Sequence, residues 1–523
     1  MRRKTAIRGL LALTGTVCLL AASDPLPAAG PTPAPPLSSI YLPTPSYTST
    51  LMGFFSTGVA FVDLNGDGYK DMVLANGNDM SPQPLTVYYN RGGQTPVFPA
   101  RPDWFSEDFD YQGKLVVGDL NGDGWPDVAV AVAFDHSRNP ATGGVKVYLN
   151  HGGRLDSKPS YRTGGGFVVL GFDLGDVDGD GDLDLVAAVL SETAGGAPLQ
   201  PGRARIYLNT GGVLSSTPAW TSRDGLGAGD AVVADVNQDG WMDLAFSSSR
   251  TTVFYGQPPR GDRSVPIPTV AGWTSADTHA FPYSIDAGSP GPSSAAPELP
   301  IPTGNPLFLA MASGCQVSCD SHFMTYRPDL QAAPTWTSDP VAYASKVLLA
   351  DLNGDGLLDL VASQWGANAN GGPLWFFQGS ARGYASKPDF VTSPLRVGQC
   401  LDVADLRRQG VQTVRQTFRA TRAASVVTFP PRRVEAVTAV ERLGRKLPPA
   451  AYAWAPASNA LSFTTPLAPG ESVVVTYQVS PVKDVVEAVW NPQFGTDIYF
   501  SFLTLAAQPE TRKERAHAYP PHH

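Results

Sequence analysis

The 523-residue sequence has few charged side chains and few histidines, and each shortage excludes a class of protein. Charged residues make up 16% of the chain and the formal net charge is −9, so the sequence lacks the basic surface that nucleic-acid binding requires. The seven histidines form no metalloprotease motif, and neither a Gly-x-Ser-x-Gly element nor a phosphate-binding loop occurs. We therefore expect no nucleic-acid partner and find no catalytic motif.

Long apolar runs are also missing. The run Gly9–Ala22 is too short to span a bilayer comfortably, follows four basic residues, and ends beside small residues up to Ser23. This arrangement predicts a signal peptide over residues 1–23 and an extended Pro/Ala-rich spacer over 24–46. An uncleaved anchor is the alternative. We expect an exported protein, secreted, periplasmic or on the cell surface, with no membrane span in the mature chain.

Cysteine is scarce, with four residues in all. Cys18 lies in the predicted signal peptide. Export permits a disulfide, and Cys315 and Cys319 are close enough in sequence to form one, although two free thiols remain possible. Cys400 lies in a predicted inner strand, where a small apolar side chain is expected.

Glycine and proline are abundant, with 53 and 48 residues. Long helices tolerate neither well, so the composition favours many short strands joined by turns. The predicted fold class is therefore all-β.

One aspartate-rich loop recurs through the chain. It is DLNGDGYKD at Asp63–Asp71, and its first aspartates, at 63, 119, 176, 235 and 351, are 56, 57, 59 and 116 residues apart. The last gap holds two periods, so a degenerate copy is expected inside it. An aromatic residue followed by polar or β-forming residues precedes each loop and also marks the missing copies, at Tyr47, Trp104, Tyr161, Trp220, Trp273, Trp336 and Phe390.

These markers define seven units, each with four predicted strands. Four antiparallel strands per period, repeated radially, are typical of a β-propeller, so we predict seven blades over residues 47–410 and 484–505. Tyr47–Thr50 is expected to be the outer strand of the last blade. Residues 411–483 interrupt that blade with alternating β-forming runs, which predict a small inserted β-sandwich, and residues 506–523 form a polar tail.

The loops offer oxygen ligands only. In Asp-x-[Asp/Asn]-x-Asp-Gly-x-x-Asp, side chains at positions 1, 3, 5 and 9 and the carbonyl of position 7 suit Ca²⁺, and about five ions are expected. We number the loops by their unit. The predicted ligands are Asp63, Asn65, Asp67, Tyr69 and Asp71 in loop one; Asp119, Asn121, Asp123, Trp125 and Asp127 in loop two; Asp176, Asp178, Asp180, Asp182 and Asp184 in loop three; Asp235, Asn237, Asp239, Trp241 and Asp243 in loop four; and Asp351, Asn353, Asp355, Leu357 and Asp359 in loop six.

The repeated loop resembles that of the FG-GAP/VCBS repeat family, the calcium-bearing propeller repeats of integrin α-chains and many bacterial surface proteins. The strict Gly-Ala-Pro of the integrin version is absent after the second strands, so the bacterial variety is the closer likeness. The resemblance implies calcium ligation in five blades. It implies the fold rather than an activity, because the family includes both binding modules and polysaccharide-acting enzymes.

Two function classes follow. The first is a binding or adhesion module for an extracellular glycan or protein, and the second is a polysaccharide lyase or hydrolase on the same scaffold. Since the loops join first to second strands, the other connections must lie on the opposite rim, where aromatic side chains could contact a ligand. The predicted ligand-face residues are Phe54, Phe55, Phe109, Tyr111, Tyr343, Trp365 and Trp490.

Overall fold

Regular secondary structure in the described part of the chain is almost wholly short β-strands. A computed structural model describes residues 35–501 except 51–52, 134–142, 193–199, 259–264, 280–282, 289–297, 302–305, 315–320, 367–370, 381, 396, 410, 430–433, 481–482 and 492–497. Within these residues the helical elements are the short helix α1 (Leu37–Ile40) and a 3₁₀ turn at Pro449–Ala451. The all-β prediction is confirmed.

Six sheets of the described chain share one design, in which four successive strands pair antiparallel in chain order. The first sheet contains β1 (Phe54–Val62), β2 (Asp71–Asn76), β3 (Thr86–Tyr88) and β4 (Trp104–Phe105); the second contains β5 (Gln112–Gly118), β6 (Asp127–Val132), β7 (Gly144–Tyr148) and β8 (Tyr161–Arg162). The third contains β9 (Phe167–Gly175), β10 (Asp184–Glu192), β11 (Gln200–Pro201), which extends β10 at its edge, β12 (Arg205–Tyr207) and β13 (Trp220–Thr221).

The next three sheets repeat the design. The fourth contains β14 (Asp230–Ala234), β15 (Asp243–Ser247), β16 (Thr252–Phe254) and β17 (Trp273–Thr274). The fifth contains β18 (Ser284–Gly288), then, after β19 (Glu298–Ile301), which pairs elsewhere, β20 (Phe308–Ala312), β21 (Phe323–Tyr326) and β22 (Trp336–Thr337). The sixth contains β23 (Ala344–Ala350), β24 (Asp359–Gln364), β25 (Trp375–Phe377) and β26 (Phe390–Val391).

The insertion follows the first strand of the last sheet, β27 (Val397–Ala404). Its strands are β28 (Gln412–Ala420), β29 (Ala424–Thr428), β30 (Val434–Arg442), β31 (Arg445–Lys446), β32 (Tyr452–Ala455), β33 (Ala460–Leu467) and β34 (Ser472–Val479). Strands β28, β34, β30 and β31 form one sheet, to which β19 adds in parallel, and β29, β33 and β32 form another. Both sheets contribute to one apolar cluster that includes Phe418, Phe429, Phe463 and Tyr477.

The seventh sheet resumes after the insertion with β35 (Asp484–Asn491) and β36 (Ile498–Ser501). Strand β27 pairs antiparallel with β35, and β35 pairs with β36. The first two residues of β1 also pair with β35, which joins the seventh sheet to the first. The first strands β1, β5, β9, β14, β18, β23 and β27 contact one another in that order, and β27 contacts β1. This closed succession of radial antiparallel sheets is a β-propeller.

Neighbouring sheets supply the core. Apolar clusters lie between successive sheets, as between the second and third, where Val116, Ala129, Phe172 and Leu185 are buried together. Second strands such as β6 are buried at every residue because a sheet covers each face. That double cover explains why these strands are continuous apolar runs instead of alternating ones.

Part of the expected spacer enters this core. Leu37, Ile40 and Tyr41 are buried in a cluster with Phe376 and Leu401 of the sixth and seventh sheets, and the Tyr41 hydroxyl donates to the Lys483 carbonyl at 2.8 Å. Their apolar side chains give this stretch something to bury, which a freely extended spacer lacks.

The N-terminal residues also take part in closing the ring. The N–H of Thr50 donates to the Ala100 carbonyl at 2.8 Å, three residues after the aromatic marker Tyr47. The same bond joins Glu107 to Ser157 at 2.8 Å, three residues after the marker of the first sheet. Residues 45–50 form no strand. Thr50 nevertheless contacts the first sheet in the same way that Glu107, after the outer strand of the first sheet, contacts the second sheet.

Several expectations fall outside the described residues: the signal peptide, residues 24–34 of the spacer, Cys315 and Cys319, and the polar tail. Within the described ranges, no helix has the length and apolarity of a membrane span.

Candidate cation-binding loops and channel

Each predicted ligand loop joins the first strand of a sheet to the second, and loop one shows its construction. The two carboxylate oxygens of Asp63 accept the backbone N–H groups of Gly66 and Gly68, each at 2.8 Å. The side-chain oxygen of Asn65 accepts the N–H of Asp67 at 2.9 Å. These bonds wind the backbone around the first aspartate and hold positions 1, 3 and 5 close together.

Loops two and six repeat this arrangement. Asp119 accepts the N–H groups of Gly122 and Gly124 at 2.8 Å. In loop six, Asp351 accepts those of Gly354 at 2.8 Å and Gly356 at 2.9 Å. The repeated sequence therefore produces a repeated backbone.

Positions 4 and 6 of the loops have left-handed backbone conformations. Gly66 and Gly68 have φ angles of 75° and 89°, values that glycine adopts without strain. Loop four has the same left-handed conformation at position 4, but the residue there is Gln238, with φ of 56°, instead of glycine. Its side-chain amide donates to the Asp235 carbonyl at 2.7 Å, which compensates part of the cost.

The aspartate at position 9 is buried at the start of the second strand. In loop one, Asp71 accepts the N–H groups of Leu64 at 3.1 Å and Asn90 at 2.9 Å. Burial raises the pKa of Asp71 to about 7, and it raises the pKa of Asp127 to about 6 in loop two. A nearby cation would stabilise the charged form that burial disfavours.

Loop three gathers its carboxylates most closely. One oxygen each from Asp176, Asp178 and Asp184 lies within 4.8 Å of the others. Burial, with repulsion from neighbouring carboxylates, raises the pKa of Asp176 to about 7 and that of Asp178 to about 6. A buried set of oxygen ligands that repel one another fits a divalent cation, which would hold them at 2.3–2.6 Å if it were calcium. Loop three carries this group because Asp178 stands where the other loops have asparagine.

The seventh loop contains its own cation. Arg407, at position 3, lies 3.5 Å from Asp484, the buried equivalent of position 9. Asp405, at position 1, accepts the N–H of Gln409 at 3.0 Å and the Ser480 hydroxyl at 2.6 Å. A guanidinium therefore occupies the position that a metal would take. The corresponding residues of the fifth unit, 289–297, lie outside the described residues.

The opposite rim carries the predicted ligand-face residues, but they differ in exposure. Tyr343 and Trp365 are buried and stacked, with ring centroids 4.0 Å apart, and Trp490 lies 5.0 Å from Trp365. Phe55 meets Trp490 edge-on at 6.0 Å. Among described residues, sequence reasoning missed Tyr283, whose ring is 5.8 Å from Trp365.

The remaining predicted face residues lie elsewhere on this rim. Phe109 is 63% exposed in the connection between β4 and β5. Tyr111 follows it and is half-buried, as is Phe54 at the start of β1. The structure therefore places four of the seven residues in one packed cluster and leaves Phe109 as the most exposed member.

A charged triad crosses the axis of the ring, and the sequence analysis did not identify it. Asp230 accepts Lys114 at 2.7 Å and Lys346 at 3.1 Å, and the three side chains come from the second, fourth and sixth sheets. The two lysines hold the pKa of the buried Asp230 below its usual range, although burial opposes them. Each residue lies five positions before the first aspartate of a loop, which is the signal that could have revealed them.

A cavity of about 170 Å³ lies between this triad and the insertion. Its lining includes Asp173 and Asp402 from the inner strands and Glu435 from β30. Glu435 pairs with Lys70 at 2.6 Å and with Lys483. The insertion therefore covers the end of this cavity that is nearer the loops.

A cluster of His279, Tyr326 and Asp277 resembles a tyrosine–aspartate contact found between two other sheets. His279 lies 3.0 Å from the Tyr326 hydroxyl, which donates to Asp277 at 2.7 Å. Tyr148 donates to Asp108 at 2.7 Å in the same way between the first and second sheets. This cluster is thus a recurring tyrosine–aspartate contact between neighbouring sheets to which a histidine has been added.

Comparison with known proteins agrees with the loop and the sheets. The family model described as FG-GAP-like repeat matches residues 63–130 and 119–187, so each match begins at the first aspartate of a loop. The chain therefore contains FG-GAP-like repeats over residues 63–187, and its sheets form the β-propeller fold.

Curated relatives come from the integrin α-chains. Integrin alpha-7 of Rattus norvegicus is 33% identical over 154 residues, which cover 27% of this chain and 13% of that protein. Integrin alpha-6 is 29% identical over 142 residues in Gallus gallus, covering 26% and 13%, and 26% identical over 182 residues in Homo sapiens, covering 32% and 15%. This chain therefore spans about an eighth of the length of these relatives.

Proposed function

We propose that this protein is a calcium-stabilised, seven-bladed β-propeller that acts outside the cell as a binding or adhesion module. The observation that carries the proposal is loop three, where Asp176, Asp178 and Asp184 converge within 4.8 Å in a loop that recurs in four other sheets. The repeats shared with integrin α-chains support an extracellular binding role.

Calcium is the ion that the ligand set favours. Every predicted ligand is an oxygen, several are carboxylates, and position 7 offers a backbone carbonyl, a combination typical of Ca²⁺ sites. Mg²⁺ prefers to keep its water shell and stricter octahedral geometry. Five complete loops correspond to about five ions.

Equilibrium dialysis against Ca²⁺ tests this part. We expect about five ions per chain and one fewer in Asp184→Ala, which removes a carboxylate of the loop-three group. Asp156→Ala, which changes a carboxylate outside the loops, is the control and should bind as many ions as the wild type. Stoichiometric binding of none or one ion would contradict the proposal.

The ligand surface proposed here is the rim opposite the calcium loops. Phe109 is exposed there, and an aromatic ring can bury the apolar C–H surface of a sugar or an apolar side chain of a protein. The packed cluster of Tyr343, Trp365 and Trp490 would support this rim rather than contact the ligand. The partner would be an extracellular glycan or protein.

A glycan array and a panel of immobilised extracellular-matrix proteins, probed with and without calcium, test the rim. The double variant Phe109→Ala/Tyr111→Ala should reduce binding to any hit about tenfold or more, as loss of a central aromatic contact does. Phe105→Ala removes a ring that is 43% exposed on the outer strand of the same sheet and should leave binding unchanged. Equal binding by the folded double variant would place the surface elsewhere.

A further inference from the structure

The insertion is strongly basic, in contrast to the rest of the chain. Residues 411–483 contain nine lysines and arginines and three glutamates, a net charge of +6, whereas the whole chain has −9. Opposite net charges favour contact between this segment and the aspartate-rich loops.

The insertion makes direct contact with loop four. The N–H and the hydroxyl of Ser425 both donate to the Gly240 carbonyl, at 2.9 and 3.1 Å. Arg422 Nη2 donates to the Gln238 carbonyl at 2.6 Å. A Cβ added to Gly240 would lie 2.6 Å from the Ala424 Cβ, so the two segments touch at position 6 of the loop. Positions 4 and 6 are thus both held by the insertion.

Loop two provides a comparison within the same chain. It has the same pattern of ligands and also carries tryptophan at position 7, as Trp125 in place of Trp241. A Cβ added to Gly122 or Gly124 would meet nothing within 4 Å, so positions 4 and 6 of this loop are uncovered. At these two positions the loops therefore differ in the contact with the insertion and in Gln238.

The contact brings a positive charge to the ligands of loop four. Arg422 reaches position 4, between Asp235 and Asp239, and its charge acts to lower the pKa of both carboxyls, although burial raises it overall. A fixed guanidinium repels a divalent cation bound to the same carboxylates. The seventh loop shows the extreme case, since Arg407 there takes the place of the ion.

We propose that Arg422 sets the cation affinity of loop four and makes it a weaker calcium site than loop two. The inference rests on calcium binding by the loops, as proposed above. Because Arg422 is largely exposed, solvent screens its charge, and we expect a difference of about three- to tenfold in dissociation constant.

Tb³⁺ luminescence sensitised by tryptophan and reversed by Ca²⁺ measures the two loops separately. Trp241 borders loop three as well as loop four, and Trp125 borders loop one as well as loop two. Asp178→Ala disables loop three, so that Trp241 reports on loop four, and Asp67→Ala disables loop one, so that Trp125 reports on loop two. In these backgrounds Arg422→Gln should tighten loop four about three- to tenfold and leave loop two unchanged. Arg422→Lys keeps the charge and should bind like the parent.

Each outcome has one meaning. If Arg422→Gln leaves loop four unchanged or weakens it while loop two binds normally, the inference is overturned. If Arg422→Lys tightens loop four as much as Arg422→Gln, the hydrogen bond and not the charge is responsible, which also overturns it. If neither tryptophan sensitises Tb³⁺ in folded protein, calcium binding by the loops itself is contradicted. Circular dichroism establishes that each variant is folded.

Discussion

The carboxylate of Asp402, on β27, accepts the backbone N–H of Phe61, on β1, at 3.1 Å. These are the inner strands, that is the first strands, of the seventh and first sheets. Two other inner strands make the same bond to the next one: Asp173 accepts Val233 and Asp286 accepts Leu349, both at 2.9 Å. In each case the aspartate fixes the register between strands that belong to different sheets. Asp402 does so where the seventh sheet meets the first.

Removing this closing bond should weaken the ring. Asp402→Ala leaves the Phe61 N–H without its acceptor, and we expect a loss of about 1–3 kcal/mol in the free energy of unfolding, measured by urea denaturation. Asp402→Asn keeps one side-chain oxygen and should lose less. An unchanged midpoint in Asp402→Ala would show that the bond does not stabilise closure.

Removing calcium should destabilise the fold. An ion that binds the native state and not the unfolded one stabilises it by about 2.7 kcal/mol per site at a hundredfold excess over the dissociation constant, so excess EGTA should lower the melting temperature. Added Ca²⁺, and not an equal concentration of Mg²⁺, should restore it. A melting curve that is the same with and without EGTA would be inconsistent with stabilisation by calcium.

Glu487 should make stability depend on pH. Its side chain is buried beside the Ser363 hydroxyl, and burial raises the pKa from 4.5 to about 8. The folded state therefore keeps a proton that the unfolded state releases, so this contribution is complete below pH 4.5 and is lost as pH rises through about 8. Wild-type stability should fall over that range.

Glu487→Gln tests this contribution, because glutamine stays neutral at every pH. The variant should match the wild type near pH 5 and be more stable near pH 9, as measured by urea unfolding at both values. Glu441→Gln, on the insertion, removes a more exposed carboxylate and should not change the slope. Parallel pH profiles for wild type and Glu487→Gln would rule out a protonated Glu487.

Arg407 should be essential to the seventh sheet. Arg407→Met leaves Asp484 buried without its cation, and we expect a loss of about 3–5 kcal/mol in the free energy of unfolding. Arg415→Met, which breaks an exposed pair with Glu441, is the matched control and should cost less than about 1 kcal/mol. Similar losses in the two variants would contradict the assignment of Arg407 as the internal cation of this loop.

The ligand loops were predictable because their information is local. Nine consecutive residues supply the carboxylates, the glycines at positive φ and the bonds that wind the loop, so Asp63–Asp71 can be interpreted without any distant contact. The period of the loop and of the aromatic marker likewise predicts successive four-stranded sheets, since each unit must bury its faces against the next.

Contacts between distant segments were not predictable in this way. Lys114, Asp230 and Lys346 are each 116 residues from the next, and only closure of the ring brings their side chains to the axis. Nothing in the sequence around Arg422 or Ser425 indicates that the insertion covers loop four.

The sequence by itself determined the strand-forming units, the order of the sheets and the oxygen-bearing side chains of the five loops. Tertiary structure alone decided the charged triad and the burial of Tyr343 and Trp365. It also decided that Leu37 and Tyr41 enter the core and that the insertion contacts loop four. The physical reason is that a loop or a strand follows from the neighbours of each residue along the chain. Contacts across the ring depend instead on which faces meet after all the sheets have packed, and no local pattern encodes that.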